Sequence, residues 1–271
     1  MKNLILCVLM LFSALTAFSQ NKNEIKPLNI GEIRTLKSAV LGEERTLNVY
    51  LPHQFDKTKS YPVIYLLDGS IDEDFLHIAG LVQFFKMPFK MPDFIVVGIA
   101  NVDRKRDFTF PTKVAELKKD YPTTGHSEKF IRFLETELHP FIEKTYKTDG
   151  TKYLIGQSLG GLLATEILLK KPKMFTHYLI VSPSLWWDDE SLLKDAKNLL
   201  EKQTEMKNYV YIAVGGGEHP VMQKDARELA ETLQTKKDLK TDFLLLKDEN
   251  HATILHQSIN EAFKKLFPYK E

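Results

Sequence analysis

Residues 152–164 read KYLIGQSLGGLLA, which is a short apolar strand, a turn of the pattern Gly-x-Ser-x-Gly and the start of a helix. That pattern is typical of a sharp strand-to-helix turn that holds a serine in strained backbone geometry with its hydroxyl exposed. The helix is predicted from residue 159 to about Lys171, because Pro172 cannot continue it. Its first backbone N–H groups would point back at Ser158 and could stabilise an anion formed there.

The turn pattern alone is weak evidence, since Gly and Ser are common enough to produce it by chance in roughly one chain of this length in ten. The strand before it, the helix after it and Gly161, which favours close packing of that helix, make it more specific. A serine in an ordinary strand-to-helix turn stays open as the alternative. The decision depends on whether catalytic partners for Ser158 follow other strands.

Apolar runs alternate with helical patterns through most of the chain. Continuous apolar runs suit strands buried on both faces of a mostly parallel sheet, and they lie at residues 63–67, 94–99, 153–155, 178–181, 210–214 and 243–246. Helical spacing is found between them, at residues 74–85, 127–146, 159–171, 191–201, 225–236 and 252–266. An alternating stretch at 46–51 predicts an antiparallel N-terminal edge hairpin. The pattern predicts an α/β fold with a doubly wound, mostly parallel sheet, whose active site would lie beyond the carboxyl ends of the strands.

The run at 63–67 is followed by Asp68, Gly69 and Ser70. In α/β-hydrolases the turn after this strand supplies one backbone N–H of the oxyanion hole, and the residue after the nucleophile supplies the other. The donors here would be Leu159 and either Gly69 or Ser70, since Gly69 allows the backbone to turn toward the pocket. A plain Asp-Gly turn is the alternative.

The strand at 210–214 is followed by a triple glycine and then by Glu218. No Lys-Ser or Lys-Thr follows the glycines, which excludes a phosphate-binding P-loop. Glu218 lies where the acid of an α/β-hydrolase triad is expected. Asp225, at the start of the next predicted helix, is the alternative acid, although a charge at a helix N-terminus is its more ordinary role.

His251 lies in the loop after the last predicted strand, at the start of the final helix. A histidine there is placed to take the serine proton and return it to the leaving group, while the acid fixes its tautomer. The order Ser158, Glu218, His251 is that of the α/β-hydrolases. The other histidines lack metal-binding spacing, so we expect neither a metal nor another cofactor.

The first residues are typical of a secretory signal peptide, predicted at 1–19. A short basic opening precedes an apolar run, and Ala17-Phe18-Ser19 offers a cleavage site. The run is too short for a comfortable membrane span, although an uncleaved anchor is the alternative. Residues 20–37 are predicted to form a loose tether and residues 38–271 a single domain. We therefore expect a periplasmic or secreted protein.

The composition argues against several classes of partner. The chain has 37 Lys and Arg against 36 Asp and Glu, and 43% of its residues are hydrophobic, which is ample for a large core. This balance, without basic blocks, argues against binding to nucleic acid or to a charged membrane surface. The single cysteine, Cys7, lies in the predicted signal peptide, so we expect no disulfide after cleavage.

Several stretches resemble the esterase D-type family of the α/β-hydrolases, namely residues 61–69 (YPVIYLLDG), 156–161 (GQSLGG), 181–187 (VSPSLWW) and 250–251 (NH). Within that family the chain is most similar to periplasmic siderophore-trilactone esterases and their exported relatives. The resemblance runs from about Ser38 to Leu266. It implies an α/β-hydrolase fold in which Ser158 and His251 match the nucleophile and base. Some members of the family work with a Ser-His pair and a poorly placed acid.

Substrate contacts are predicted at Arg106, Trp186 and Trp187. The resemblance places residues 99–108 in a loop near the pocket, where an arginine could bind an anionic or catechol-bearing substrate; a solvated charge run is the alternative for Arg106. The two tryptophans follow a strand end, where aromatic side chains suit the wall of a pocket. Both could equally belong to the core beneath a lid.

These observations predict a metal-free carboxylic ester hydrolase that forms an acyl-enzyme on Ser158. The expected partner is a small to medium siderophore, acyl or carbohydrate ester, with no nucleic acid and no stable membrane insertion after cleavage of the signal peptide. An acyltransferase with the same triad and a catalytically silent binding protein on a hydrolase scaffold are the alternatives. The sequence leaves the oligomeric state open.

Overall fold

A computed structural model describes residues 25–87, 89 and 91–269 of the protein, and the predicted signal peptide lies outside them. The strands in these residues are β1 (Gly31–Ser38), β2 (Glu43–Tyr50), β3 (Tyr61–Leu66), β4 (Ile95–Ile99), β5 (Thr148–Gln157), β6 (His177–Val181), β7 (Tyr209–Gly215) and β8 (Lys240–Leu246). Within the described residues they form one eight-stranded sheet in the order β1-β2-β4-β3-β5-β6-β7-β8. Strands β3 to β8 are parallel, whereas β1 and β2 form an antiparallel hairpin at one edge. The predicted α/β fold is confirmed.

Helices cover both faces of this sheet. They are α1 (Phe75–Lys86), α2 (Arg104–Phe108), α3 (Ala115–Asp120), α4 (Ser127–Phe133), α5 (His139–Thr145), α6 (Leu159–Lys170), α7 (Trp187–Lys194), α8 (Ala196–Glu201), α9 (Pro220–Gln234) and α10 (Ile254–Leu266). Helices α1 and α10 bury their apolar sides on one face, and α4, α5, α6 and α9 do so on the other. Within the described part of the chain, no helix combines the length and apolar character needed to cross a bilayer.

The central strands are continuously apolar because both of their faces are covered. In β3, Val63 and Tyr65 belong to the core under α4 and α6, while Ile64 and Leu66 belong to the core under α1 and α10. All four side chains are at most 1% exposed. Alternation along a strand therefore distributes apolar side chains between two cores instead of between core and solvent.

The predicted tether is wrong for residues 31–37, which are part of β1. The strand pairs with β2 from Gly31 opposite Tyr50 to Ser38 opposite Glu43. The edge strand has no apolar run because its side chains are exposed or half-buried on both faces as far as Lys37, so its sequence resembles a polar linker. The ordered domain thus begins before residue 38.

The helix predicted at 127–146 is divided by a π-helical turn, Leu134–Leu138, which separates α4 from α5. Pro140 lies in the first turn of α5 and has no N–H to donate to the preceding turn. The predicted kink therefore comes before the proline as a widened turn. Similarly, the helix predicted at 191–201 is divided into α7 and α8, and α2 and α3 are too short to show a periodic pattern.

Candidate active site

Ser158 occupies the turn between β5 and α6 with φ +60° and ψ −119°. This conformation is rare for a residue with a side chain and costs on the order of 1–3 kcal/mol. The Ser158 N–H donates to the Val181 carbonyl at 3.1 Å, and the Leu162 N–H donates to the Ser158 carbonyl at 2.9 Å. A Cβ on Gly156 would lie 2.4 Å from the Gly160 carbonyl oxygen, so this position requires glycine. The pattern therefore forms a strained serine turn and not an ordinary one.

The segment after β6 packs directly against this turn. The Ser184 N–H donates to the Ser158 carbonyl at 3.0 Å, and the two serine hydroxyl oxygens lie 3.3 Å apart. A Cβ on Gly161 would lie 2.9 Å from Pro183 Cα, so the glycine lets α6 approach this segment. Leu159 is the first residue of α6, where a backbone N–H has no partner within the helix. Its N–H is therefore available beside the serine.

Glu218 accepts a hydrogen bond from His251, with 2.8 Å between Nδ1 and Oε2. The Glu218 side chain is 1% exposed, whereas that of His251 is 47% exposed. Glu218 also accepts from the Gly215 N–H at 2.8 Å and from the Ser182 hydroxyl. Burial alone would raise the pKa of Glu218, but these hydrogen bonds outweigh it and hold that pKa below its usual value. A carboxylate that accepts from Nδ1 favours the tautomer in which the imidazole proton is on that nitrogen and not on Nε2.

Asp225, the alternative acid, lies within α9 and is 1% exposed. One of its carboxylate oxygens is 3.2 Å from Lys224 Nζ. Helix α9 begins at Pro220, earlier than the sequence predicts, so Asp225 is not at a helix start. The structure brings Glu218 to His251 and leaves Asp225 apart.

Ser158 and His251 line the same cleft, whose volume is about 440 Å³. It lies at the carboxyl ends of β3 and β5, and its other described lining residues are Asp68, Glu73, Asp74, Arg104, Gln157 and Ala252. Two cavities of about 450 and 480 Å³ against α4, α5 and α6 contain neither Ser158 nor His251. We assign the site by its chemistry, because size does not distinguish the three. Among the described residues, no group of His, Cys, Asp and Glu is arranged to hold a metal ion.

Gly69 does not supply the predicted oxyanion donor. Its N–H donates to the Ile99 carbonyl at 3.1 Å, as part of the bonding between the ends of β3 and β4. A Cβ on Gly69 would lie 2.4 Å from Gly98 Cα, so this glycine serves the close packing of two strand ends. The Ser70 N–H lies 3.3 Å from a carboxylate oxygen of Glu73 at the exposed rim.

Arg104 and Gln157 were missed by sequence reasoning. The Arg104 guanidinium makes a bidentate pair with Asp68, at 2.6 and 2.9 Å, and donates to the Gln157 carbonyl at 3.2 Å. The Gln157 side-chain amide donates to the His251 carbonyl at 2.5 Å. We call these four residues the loop network, since they connect the turn after β3, the serine turn and the histidine loop. The available signals were the position of Gln157 beside Ser158 and that of Arg104 just after a strand end.

The prediction that Arg106 contacts the substrate is wrong. Its guanidinium donates to Asp107 at 2.8 Å and to Glu43 at 2.6 Å, next to a buried Arg45–Asp107 ion pair. Residues two apart on a helix do not share a face, so Arg106 points away from the cleft that Arg104 lines. It joins the hairpin to α2 instead.

The structure does not place the two tryptophans at the cleft. Trp187 is fully buried, its Nε1–H donates to the Phe110 carbonyl at 2.9 Å, and its ring packs edge-on against Tyr121. Trp186 is half-buried and packs on Trp187, with 6.0 Å between ring centroids. The pocket-wall prediction is therefore wrong for Trp187, which belongs to the core, and Trp186 is not among the described residues that line the cleft.

Comparison with known proteins identifies the family of the chain. Residues 38–261 match the family described as "Putative esterase". The chain belongs to this esterase family. It is 30% identical over 257 residues to ferri-bacillibactin esterase BesA from Bacillus subtilis, covering 86% of this chain and 88% of that protein. The resemblance inferred from the sequence is confirmed, and the chain is a carboxylic ester hydrolase.

Two solved structures are similar over nearly the whole described chain. An IroE-like serine hydrolase from Shewanella oneidensis superimposes with a TM-score of 0.80 at 28% identity, covering 88% of this chain and 80% of that one. The BES protein from Bacillus cereus gives a TM-score of 0.79 at 29% identity, covering 91% and 98%. The predicted α/β-hydrolase fold is confirmed.

Proposed function

We propose that this esterase works through an acyl-enzyme on Ser158, with His251 as general base and Glu218 as its acid partner. The observation that carries the proposal is the hydrogen-bonded pair of Glu218 and His251, which opens into the same cleft as the strained serine. A buried ionised carboxylate beside a half-exposed imidazole is the arrangement that activates a serine hydroxyl.

In the proposed reaction, Ser158 Oγ attacks the ester carbonyl carbon while His251 Nε2 takes the hydroxyl proton. The tetrahedral oxyanion accepts a hydrogen bond from the Leu159 N–H, whereas the Gly69 and Ser70 N–H groups are bonded to Ile99 and Glu73. Its collapse breaks the bond to the alkoxide oxygen, which takes the proton from His251 and leaves as the alcohol. Water then repeats the sequence at the acyl-enzyme, releases the acid and restores Ser158.

We further propose a small to medium ester of the siderophore, acyl or carbohydrate kind as the substrate. The similarity to BesA, whose name describes an esterase for ferri-bacillibactin, supports a siderophore ester. The half-exposed His251 supports hydrolysis over transfer to an alcohol, since water has direct access to the base.

Labelling with a fluorophosphonate tests the nucleophile without any assumption about the ester. We expect mass spectrometry to find the probe on Ser158, and we expect His251→Ala to lose nearly all labelling. The matched control is His53→Ala, which alters an exposed histidine in the loop between β2 and β3 and should label like the wild type. A folded protein that does not react with the probe would contradict the mechanism.

We also propose export to the periplasm or the medium, because residues 1–19 have the layout of a cleavable signal peptide. Expression of the full chain in a Gram-negative host followed by fractionation tests this. The expected product has Gln20 at its N-terminus and lies outside the cytoplasm. Full-length protein in the cytoplasm or the membrane would contradict the proposal.

A further inference from the structure

The segment after β6, residues 182–187, belongs to a stretch that resembles the family, yet neither of its tryptophans is among the described residues that line the cleft. Its first residue, Ser182, is fully buried and has a φ of +44°, which is rare for a residue with a side chain. Such a conformation persists only where the surroundings enforce it. The contacts of Ser182 therefore indicate what this segment does.

Ser182 is held at the end of β6, beside β7. Its N–H donates to the Ala213 carbonyl at 2.7 Å, and two residues later the Ser184 N–H donates to the Ser158 carbonyl at 3.0 Å. The Ser182 hydroxyl donates to Glu218 Oε1. The same short segment therefore contacts both the serine turn and the acid.

The two oxygens of the Glu218 carboxylate have different donors. Oε1 accepts from the Ser182 hydroxyl and, at 2.8 Å, from the Gly215 N–H. Oε2 accepts from His251 Nδ1, also at 2.8 Å. The two donors on Oε1 fix the rotation of the carboxylate and so keep Oε2 facing the imidazole. Because the Glu218 side chain is only 1% exposed, water has little access to replace a donor that is lost.

Ser182 itself does not contact a substrate, because it is fully buried and is not among the described residues that line the cleft. We propose that Ser182 is a positioning residue that acts through Glu218, with its hydroxyl holding the carboxylate in the orientation that supports His251. The proposal rests on the proposed function, in which Glu218 is the acid. It gives the segment a role in the reaction in place of the substrate contacts predicted for its tryptophans.

Removal of the Ser182 hydroxyl tests the proposal. In Ser182→Ala we expect kcat to fall about tenfold, as for a lost hydrogen bond to a charged group, with KM changed less than about twofold. Ser182→Cys keeps the buried volume with a weaker donor, so its kcat should lie between those of the wild type and Ser182→Ala. Ser127→Ala is the matched control and should turn over like the wild type. Ser127 is equally buried but lines a cavity that contains neither Ser158 nor His251.

A double-mutant cycle with Glu218→Ala separates positioning from a loss of packing. If Ser182 acts through the carboxylate, adding Ser182→Ala to Glu218→Ala should lower kcat by less than about twofold more. A packing defect would lower kcat by about the same factor in both backgrounds, and that result would overturn the proposal.

A titration of the Glu218 carboxyl carbon by NMR gives a measurement that does not depend on turnover. The Ser182 hydroxyl bonds to the ionised form, so Ser182→Ala should raise the pKa of Glu218, whereas Ser127→Ala should leave that pKa unchanged. An unchanged pKa of Glu218 in Ser182→Ala would show that the hydroxyl does not support the ionised carboxylate, which contradicts the proposal.

The outcomes separate this inference from the proposed function. If Glu218→Ala lowers turnover strongly but a folded Ser182→Ala turns over like the wild type, the positioning role is wrong and the serine mechanism stands. If Glu218→Ala retains full turnover, the acid assignment is wrong and the role of Ser182 is wrong with it. A folded wild type that fails to react with a fluorophosphonate would instead contradict the proposed function itself.

Discussion

The strands β5 and β6 are built differently at their two ends. At the amino end, Tyr153, His177 and Tyr209 lie side by side across β5, β6 and β7 in register. The first two rings stack with centroids 3.9 Å apart, and the third ring centroid lies 5.8 Å from that of His177. At the carboxyl end the same β5 and β6 lead into Ser158 and Ser182, whose φ angles are +60° and +44°.

The amino end of the sheet therefore contributes to the free energy of unfolding. At the carboxyl end, the strained backbone of the two serines reduces it. Stacked aromatic side chains contribute about 0.5–1.5 kcal/mol per pair beyond their burial. A side chain in a rarely populated backbone region costs on the order of 1–3 kcal/mol, and persists only when its surroundings enforce it. Substitutions at the carboxyl end should thus change turnover more than stability, and substitutions at the amino end should do the reverse.

Ser158→Gly should separate the two properties most strongly. We expect kcat to fall by at least about 10⁴-fold because the proposed nucleophile is lost. The free energy of unfolding should rise by about 1 kcal/mol, since glycine tolerates the positive φ. Ser158→Ala is the matched control, with the same loss of turnover and no such gain. Denaturant unfolding that shows no difference between the two variants would mean that the turn is not strained.

Glu218→Gln should have the next largest effect. A glutamine cannot provide the negative charge that orients and stabilises the His251 imidazolium, so we expect kcat to fall by about 10³-fold. Asp225→Asn is the control and should retain nearly full turnover, because Asp225 lies apart from His251. Steady-state kinetics on a neutral ester measures both. Near wild-type turnover in Glu218→Gln would indicate a Ser-His pair that needs no acid.

Gln157→Ala should show that Gln157 at the carboxyl end acts by positioning the His251 loop. The variant loses the hydrogen bond that ties the serine turn to the His251 carbonyl. We expect kcat to fall about 30-fold with KM changed less than about threefold, since misplacement affects the transition state more than binding. Gln203→Ala is the control, because the Gln203 side-chain amide likewise donates to a carbonyl, that of Leu169, but outside the cleft. A change confined to KM would assign Gln157 to substrate binding instead.

His177→Phe should show a stability effect without an effect on turnover at neutral pH. Burial lowers the pKa of His177 to about 4. Between that value and the usual histidine pKa of about 6.5, the unfolded chain binds a proton that the folded chain does not, so stability falls as pH falls.

The phenylalanine keeps the stack but does not titrate, so the variant should lose less stability on acidification. Because His177 is partly solvated, we expect the advantage at about pH 5 to be only about 1 kcal/mol. Urea unfolding of both proteins at neutral and acidic pH measures it. Parallel loss of stability in the two proteins would show that folding does not lower the pKa of His177.

The predictions from sequence were most successful where the location of a residue depends only on which strand it follows along the chain. Ser158, Glu218 and His251 each follow a different parallel strand, and the parallel arrangement brings such residues to one edge. That arrangement follows from apolar runs that read clearly in the sequence. The geometry agrees with the predicted grouping of the three, although their catalytic roles remain our proposal.

The predictions were wrong where the direction of a side chain depends on local packing. Arg104 and Arg106 are two residues apart, and only the phase of a five-residue helix decides which of them lines the cleft. Likewise, Trp187 follows a strand end but turns inward to donate to Phe110, and the N–H of Gly69 completes the bonding of β4. None of these directions is encoded in residue type or spacing.

Strand β1 has a practical consequence for preparing the enzyme. A protein trimmed to begin at residue 38 would lack most of β1, leaving one edge of β2 with unpaired N–H and C=O groups. The turn after β1 would remain attached to the domain, because the Ala39 and Val40 N–H groups donate to Glu137 at 2.9 and 3.0 Å. Such an exposed strand is a template for chain-to-chain pairing. The trimmed protein is therefore expected to be lost to insoluble aggregates even though every residue of the cleft is present.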